Sequence, residues 1–109
     1  MSLRIVRDDE LTPTTFAREW IGGETPACVI FVDAKPGDSV ALHRHTYAEL
    51  FFVLEGTATF HDGEGDVDVD APAFVVVPPA QPHGFTNNGD TQLRQIDVHL
   101  NGAFETEWL

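Results

Sequence analysis

Four side chains stand out by type and spacing. His43 and His45 are separated by one residue, Glu49 follows in the same short segment, and His83 comes after a proline-rich stretch. On a strand the side-chain period is two, so His43 and His45 point to one face and Arg44 to the other. Glu49 opens the next apolar run. If that run pairs with the first, its carboxylate returns alongside the imidazoles. Three imidazole nitrogens and one carboxylate oxygen make a borderline-hard donor set. It suits Mn, Fe, Co, Ni, Cu or Zn better than Ca or Mg. We therefore expect one divalent transition metal ion, held by His43, His45, Glu49 and His83. On a five- or six-coordinate metal, four protein ligands leave positions open for Lewis-acid or O₂-activating chemistry. A closed zinc tetrahedron from the same four would be purely structural. Taken singly, each histidine reads as an ordinary surface or core residue. The coincidence of type and spacing is what carries the reading.

These residues need strands to hold them, and the pattern supplies strands. From Ala27 onward, short apolar runs alternate with turn chemistry. Ala27 to Val32, Val40 to His45, Glu49 to Leu54 and Thr57 to His61 read as strands. Lys35-Pro36-Gly37-Asp38 and Asp62-Gly63-Glu64-Gly65-Asp66 read as turns. Val67 and Val69 alternate with Asp68 and Asp70, as in a half-exposed strand. Phe74 to Val77 is continuously apolar, which predicts a strand buried on both faces. Pro78 to Pro82 must be a loop, because its prolines cannot supply ladder donors. His83 to Thr86 is a short strand, and Asn87-Asn88-Gly89-Asp90 is expected to close a hairpin. Gln92 to Leu100 alternates cleanly, with Leu93, Gln95, Asp97 and His99 on one face. Residues 1–26 are the least readable, and TTFAREWI is expected as a strand or irregular edge. Evenly spaced short strands without helices predict an all-β sandwich or barrel in one domain, residues 1–109.

Charge and composition exclude several function classes. The chain has 109 residues, with 6 basic against 18 acidic side chains and a net charge of −12. That balance argues against nucleic acid, whose phosphates demand cations, and against anionic membrane surfaces. No apolar run approaches the roughly 18 to 20 residues of a membrane helix. The start, MSLRIVRDDELTP, turns acidic at once and lacks the apolar core of a signal peptide, so the cytoplasm is the expected location. The single cysteine, Cys28, sits in an apolar run and is expected to behave as a small buried hydrophobe.

The segment Gly37-x5-His43-x-His45-x3-Glu49-x6-Gly56 resembles the first cupin motif in full. Pro72, Pro78-x-Ala80-x-x-His83 and Asn87 resemble the second, with Pro72 and Ala80 standing where that motif has glycines. The resemblance spans 37–87, with motif 1 at 37–56 and motif 2 at 72–87. It implies a double-stranded β-helix, a jelly-roll barrel of two antiparallel sheets, often dimeric. It places His43, His45, Glu49 and His83 in the family's ligand positions. The Ala80 departure puts the geometry of a turn in question rather than a ligand.

A pocket is expected around the site. Phe51 and Val53 share parity with Glu49, and Phe85 and Asn87 share it with His83. Tyr47, Phe51, Val53, Phe85, Gln95, Asp97 and His99 are the candidate lining, although the face holding the last three would suit solvent equally well. Asn87 reads more naturally as a cap for its turn. The expected function is a metal-dependent enzyme of dioxygenase or isomerase type acting on a small oxygenated molecule, with Glu49 as candidate base. The alternatives are a non-catalytic small-molecule binding or sensor module, and a metal that merely staples the barrel. Trp108-Leu109 at the end of the chain is expected to dock on the barrel or on a second subunit, and a homodimer is expected.

Overall fold

Alternating apolar residues and tight turns produce eleven strands in a computed structural model that describes residues 3–109. They are β1 (Thr12–Pro13), β2 (Ala17–Trp20), β3 (Cys28–Ala34), β4 (Ser39–Arg44), β5 (Glu49–Glu55) and β6 (Thr57–His61). There follow β7 (Asp66–Asp70), β8 (Ala73–Val77), β9 (His83–Thr86), β10 (Leu93–His99) and β11 (Glu107–Trp108). Among the described residues the helical structure is one 3₁₀ turn, Asp8–Glu10. The strands form a six-stranded sheet, ordered β1-β2-β3-β10-β5-β8, and a five-stranded sheet, ordered β11-β4-β9-β6-β7. Every pairing is antiparallel. This is the jelly-roll arrangement that the motifs imply. TTFAREWI does supply a strand, β2, which lies against β3.

The inner faces of both sheets meet in one apolar cluster. Val32, Phe51, Val53 and Leu93 come from the larger sheet, and Ala58, Phe60 and Phe85 from the smaller. Phe51 sits edge-on to Phe60, with ring centroids 5.1 Å apart, and contacts Phe85 as well. Truncating an aromatic in such a core to alanine costs about 3–5 kcal/mol. The cluster fills the barrel below the histidines and leaves their end open.

Two local expectations are corrected and one open alternative is decided. The Phe74–Val77 run is not buried on both faces: Phe74 is 62% and Val76 58% exposed. The run is β8, at the edge of its sheet, where Phe74 lies beside Phe52 on the outer face and no described strand covers it. The Asn87–Asp90 turn does not close a hairpin either. It links β9 in one sheet to β10 in the other. Asn87 makes that crossing rigid. Its Nδ2 donates to the carbonyls of Ala34 and Thr91, and its Oδ1 accepts from Gly89 N–H. It is therefore a buried turn cap. Of the two faces left open for Gln95, Asp97 and His99, they take the interior one, each no more than 5% exposed.

Turn chemistry sets the ends of the strands. Gly37 and Gly56 take φ of +94° and +84°, conformations that L side chains seldom adopt. Ala80 occupies the same left-handed region at φ 69°, where the second motif has glycine. Its N–H donates to the His45 carbonyl at 2.7 Å, tying the proline loop to the first motif. The polypeptide thus keeps the turn that glycine would make and bears the Cβ strain.

Candidate metal centre

The site forms where four strand ends converge. His43 is near the end of β4 and His45 one residue past it, Glu49 begins β5, His83 begins β9 and His99 ends β10. Two cross-strand pairs build it. His43 lies opposite His83 in the smaller sheet, and Glu49 opposite His99 in the larger. Facing of the sheets then brings the pairs together. Gly84 permits the first pair. A Cβ there would lie 2.6 Å from the Val40 carbonyl oxygen, beside the irregular register between Val40 and His43. Sequence reading passed over Gly84, because only the pairing of β4 with β9 gives it a reason.

Ligand atoms of His43, His45, Glu49 and His83 all lie within 4.8 Å of one another, and all four residues are buried. Their hydrogen bonds fix their tautomers. The Nδ1–H groups of His43, His45 and His83 donate to the backbone carbonyls of Ala41, Glu105 and Gln81, at 2.7, 2.9 and 2.8 Å. That arrangement leaves each Nε2 with its lone pair turned inward, as metal-ligating histidines require. The Nε2 atoms of His45 and His83 each lie 3.0 Å from the same oxygen, Glu49 Oε1. The His45 Nε2 contact lacks hydrogen-bond alignment and leaves this buried atom unpaired. Two lone pairs and a carboxylate oxygen at that separation repel unless a cation sits among them. The donor set therefore fits a divalent transition metal, and three nitrogens with one oxygen suit the Mn to Zn range.

Electrostatics respond to the same crowding. Burial alone would raise the Glu49 carboxyl, but the imidazoles of His45, His83 and His99 crowded against it outweigh that and hold the group well below the usual carboxylate range. Burial pushes the His43 imidazole down, with the neighbouring histidines adding to the effect. Burial opposes protonation of His45 too, yet the Glu49 carboxylate and the Glu105 carbonyl raise it overall. Glu49 is thus held ionised, as a metal-ligating carboxylate must be.

His99 lies next to the four ligands. Its Nε2 is 3.1 Å from Glu49 Oε2, and Tyr47 O–H donates to its Nδ1 at 2.7 Å. The Tyr47 oxygen accepts in turn from Glu105 N–H. This chain orients the carboxylate from behind. Tyr47 thus serves the scaffold and does not line the cavity.

A cavity of about 320 Å³ opens on the cluster. Phe51, Phe85, Asp97 and His99 line it, as do His43, His45 and Glu49. Val53 and Gln95 do not. Val53 is packed in the apolar core, and Gln95 Nε2 donates to Asp97 Oδ1 at 2.9 Å. Asp97 is deeply buried. That burial, together with the Glu49 charge, raises its carboxyl well above the usual value against the Gln95 bond. The remaining wall comes from both ends of the chain: Phe16, Ala17 and Glu19 on one side, Phe104, Thr106 and Trp108 on the other. These residues were not anticipated as lining. The signal for one was the apolar pair Trp108-Leu109, and the tail does dock: β11 pairs with β4, Trp108 opposite His43 with rings 4.9 Å apart.

Comparison with known proteins agrees with this geometry. The cupin domain family model matches residues 30–99, well over half of the chain. A stretch of 64 residues is 34% identical to the oxalate-binding protein of Thermotoga maritima, covering 58% of this chain and 53% of that protein. The match thus spans about half the length of this curated relative. A Klebsiella pneumoniae protein described as having a double-stranded beta-helix domain superposes with a TM-score of 0.80 at 24% identity, over 98% of this chain and 97% of its own. The polyketide cyclase RemF of Streptomyces resistomycificus superposes with a TM-score of 0.78 at 16% identity, over 99% and 86%. These structural likenesses speak for the fold alone. With its two motifs, its jelly-roll sheets and a family match across its central 30–99, the chain belongs to the cupin family.

Proposed function

We propose that this protein is a metal-dependent enzyme that transforms a small oxygenated molecule in the barrel cavity, by chemistry of the dioxygenase or isomerase type. The observation that carries the reading is the convergence of three inward Nε2 atoms and Glu49 beside an open cavity, which His43, His45 and Glu49 line. A closed structural site would have no reason to face such a space. His43, His45, Glu49 and His83 would hold the metal, one of Mn, Fe, Ni, Cu or Zn. When bound there it supplies Lewis-acid polarisation of a ligand oxygen.

The other steps belong to the chain's own residues. His99 and Tyr47 hold the Glu49 carboxylate in one orientation. Asp97, kept protonated by burial, offers a proton at Oδ2 on the cavity wall, with Gln95 holding Oδ1 and fixing its plane. The aromatic walls exclude water from the reacting group. Asp97 takes the acid–base role more naturally than Glu49, because burial holds its carboxyl protonated on the cavity wall while the imidazoles hold Glu49 ionised.

A non-catalytic binding module is the second reading, and the name of the Thermotoga maritima relative favours it. The two separate on Asp97→Asn. An enzyme variant keeps its metal and its ligand affinity and loses turnover in a small-molecule panel followed by product analysis and O₂ uptake. A binding module shows no turnover in either form. Elemental analysis of protein purified without chelator tests the metal itself, and absence of any transition metal would overturn the reading.

We propose further that the chain works as a homodimer joined through the outer face of the larger sheet. Support comes from Phe74, Val76 and Leu54, which are 62%, 58% and 47% exposed beside Phe52. An apolar surface of this kind on an edge strand calls for cover.

A further inference from the structure

We infer that the cavity takes an uncharged, ring-bearing molecule that reaches the metal site through one oxygen, and that it disfavours small dianions such as oxalate. The inference rests on the reading of the cavity as a ligand site and names the class of ligand.

Charge is the first observation. The chain has six basic residues, Arg4, Arg7, Arg18, Lys35, Arg44 and Arg94, and none lines the cavity. Four of them are held outside it in ion pairs. Arg4 pairs with Glu10 and Glu24, Arg18 with Asp8 and Asp33, Arg44 with Glu107, and Arg94 with Asp33 and Glu55. The walls instead carry two carboxylates, Glu19 and Glu49, beside the buried, protonated Asp97. A divalent metal beside an ionised Glu49 leaves one net positive charge, which a dianion would over-neutralise in a site offering no cation to compensate. Sites that bind carboxylates tightly place a guanidinium or ammonium against them. Net charge of −12 repels a dianion at long range as well.

Shape and surface chemistry are the second. Aromatic rings stand directly against the imidazoles of the site. Trp108 is 4.9 Å from His43, and Phe104 is 4.9 Å from His99. Phe51 is 5.8 Å from His83. Phe16 and Phe85 extend this lining. Such walls give a flat ring offset-stacked and edge-on contacts, and give a small dianion nothing. A cavity of about 320 Å³ falls in the range of small-molecule sites. Oxalate would leave most of it to water. Trp108 is 65% exposed at the mouth, so a seated ring would cover it.

The test is calorimetric titration of the full chain, both chelator-treated and loaded with Mn²⁺, using 2-naphthol, phenol and oxalate. Tryptophan emission is followed in parallel. The metal-loaded protein is expected to bind 2-naphthol at least about tenfold more tightly than oxalate, with phenol between. Trp108→Ala and Phe104→Ala should each weaken 2-naphthol severalfold and leave metal stoichiometry and thermal midpoint in place. Glu19→Lys should raise oxalate affinity severalfold, because it puts a cation into the wall. Oxalate binding as tight as 2-naphthol, or 2-naphthol binding indifferent to both aromatic variants, would overturn the inference. Two outcomes separate it from the metal-enzyme reading. If no metal binds but 2-naphthol still depends on Trp108, the metal reading falls and this one stands. If metal binds and is lost in His83→Ala while oxalate prevails, this one falls and the metal reading stands.

Discussion

Asp97→Asn is expected to stabilise the metal-free protein, and increasingly so as pH rises. Asp97 is 4% exposed on the inner face of β10, with Glu49 as a neighbouring charge and Gln95 Nε2 as its one hydrogen-bond donor. Burial and Glu49 raise its folded-state pKa well above the value near 3.9 of an unfolded aspartate. Between those two values the folded protein binds a proton that the unfolded chain has released. Unfolding free energy must then fall as pH rises, by up to about 1.4 kcal/mol per pH unit. The contribution is intact below about pH 4 and is lost progressively up to the folded-state pKa. Asparagine matches the neutral carboxyl in shape, still accepts from Gln95 and cannot ionise. The variant and the parent should therefore have similar stability at pH 4. From there they diverge by up to about 1.4 kcal/mol per unit, roughly 5 °C in thermal midpoint for a domain of this size. Glu49 and His43 titrate in the opposite sense, since their folded-state values are lowered and their stabilisation is lost as pH falls. Both groups are present in parent and variant and cancel in the difference. Urea unfolding in excess chelator at each pH from 4 to 8 measures it. Parallel stability curves, or a variant less stable than the parent at pH 8, would refute a protonated, buried Asp97.

Other consequences can be checked with the same material. Saturating Mn²⁺ or Zn²⁺ at about 100 times its Kd should add about 2.7 kcal/mol, or roughly 10 °C, and His45→Ala or His83→Ala should abolish the shift in differential scanning fluorimetry. Metal should leave the protein on acidification below roughly pH 5 to 6, as protons compete for the imidazoles; full occupancy at pH 4 by elemental analysis would contradict the three-histidine site. Ala80→Gly should stabilise by about 0.5–1 kcal/mol, because relief of a left-handed Cβ, about 1–2 kcal/mol, exceeds the added chain entropy of glycine; a lowered thermal midpoint would argue against the φ of 69° at Ala80. Phe74→Asp should convert a dimer to monomer in sedimentation equilibrium without loss of metal, and an unchanged mass would remove the outer sheet face from consideration.

Much of the arrangement was legible in residue order. The one-residue gap between His43 and His45 encodes a shared face, because a strand repeats every two residues. Gly37 and Gly56 mark turns that require positive φ, and both take it. Alternation along Leu93, Gln95, Asp97 and His99 declared a common face, but not which face. Whether that face meets solvent or cavity depends on the sheet opposite. The Phe74–Val77 run misled for the same reason. Its composition records hydrophobicity, whereas burial depends on its place at a sheet edge.

By itself, then, the sequence determined the donor set, the strands that carry it and the family to which the chain belongs. Parity, turn chemistry and motif spacing are local, and a linear code can hold them. Tertiary structure decided that His43 faces His83 and that Glu49 faces His99. It decided that Asp97 lies in a buried wall, and that Phe16 and Trp108, from opposite ends of the chain, close one cavity. Each of these is a contact between segments far apart in sequence. Its register and company arise only when two twisted sheets pack face to face.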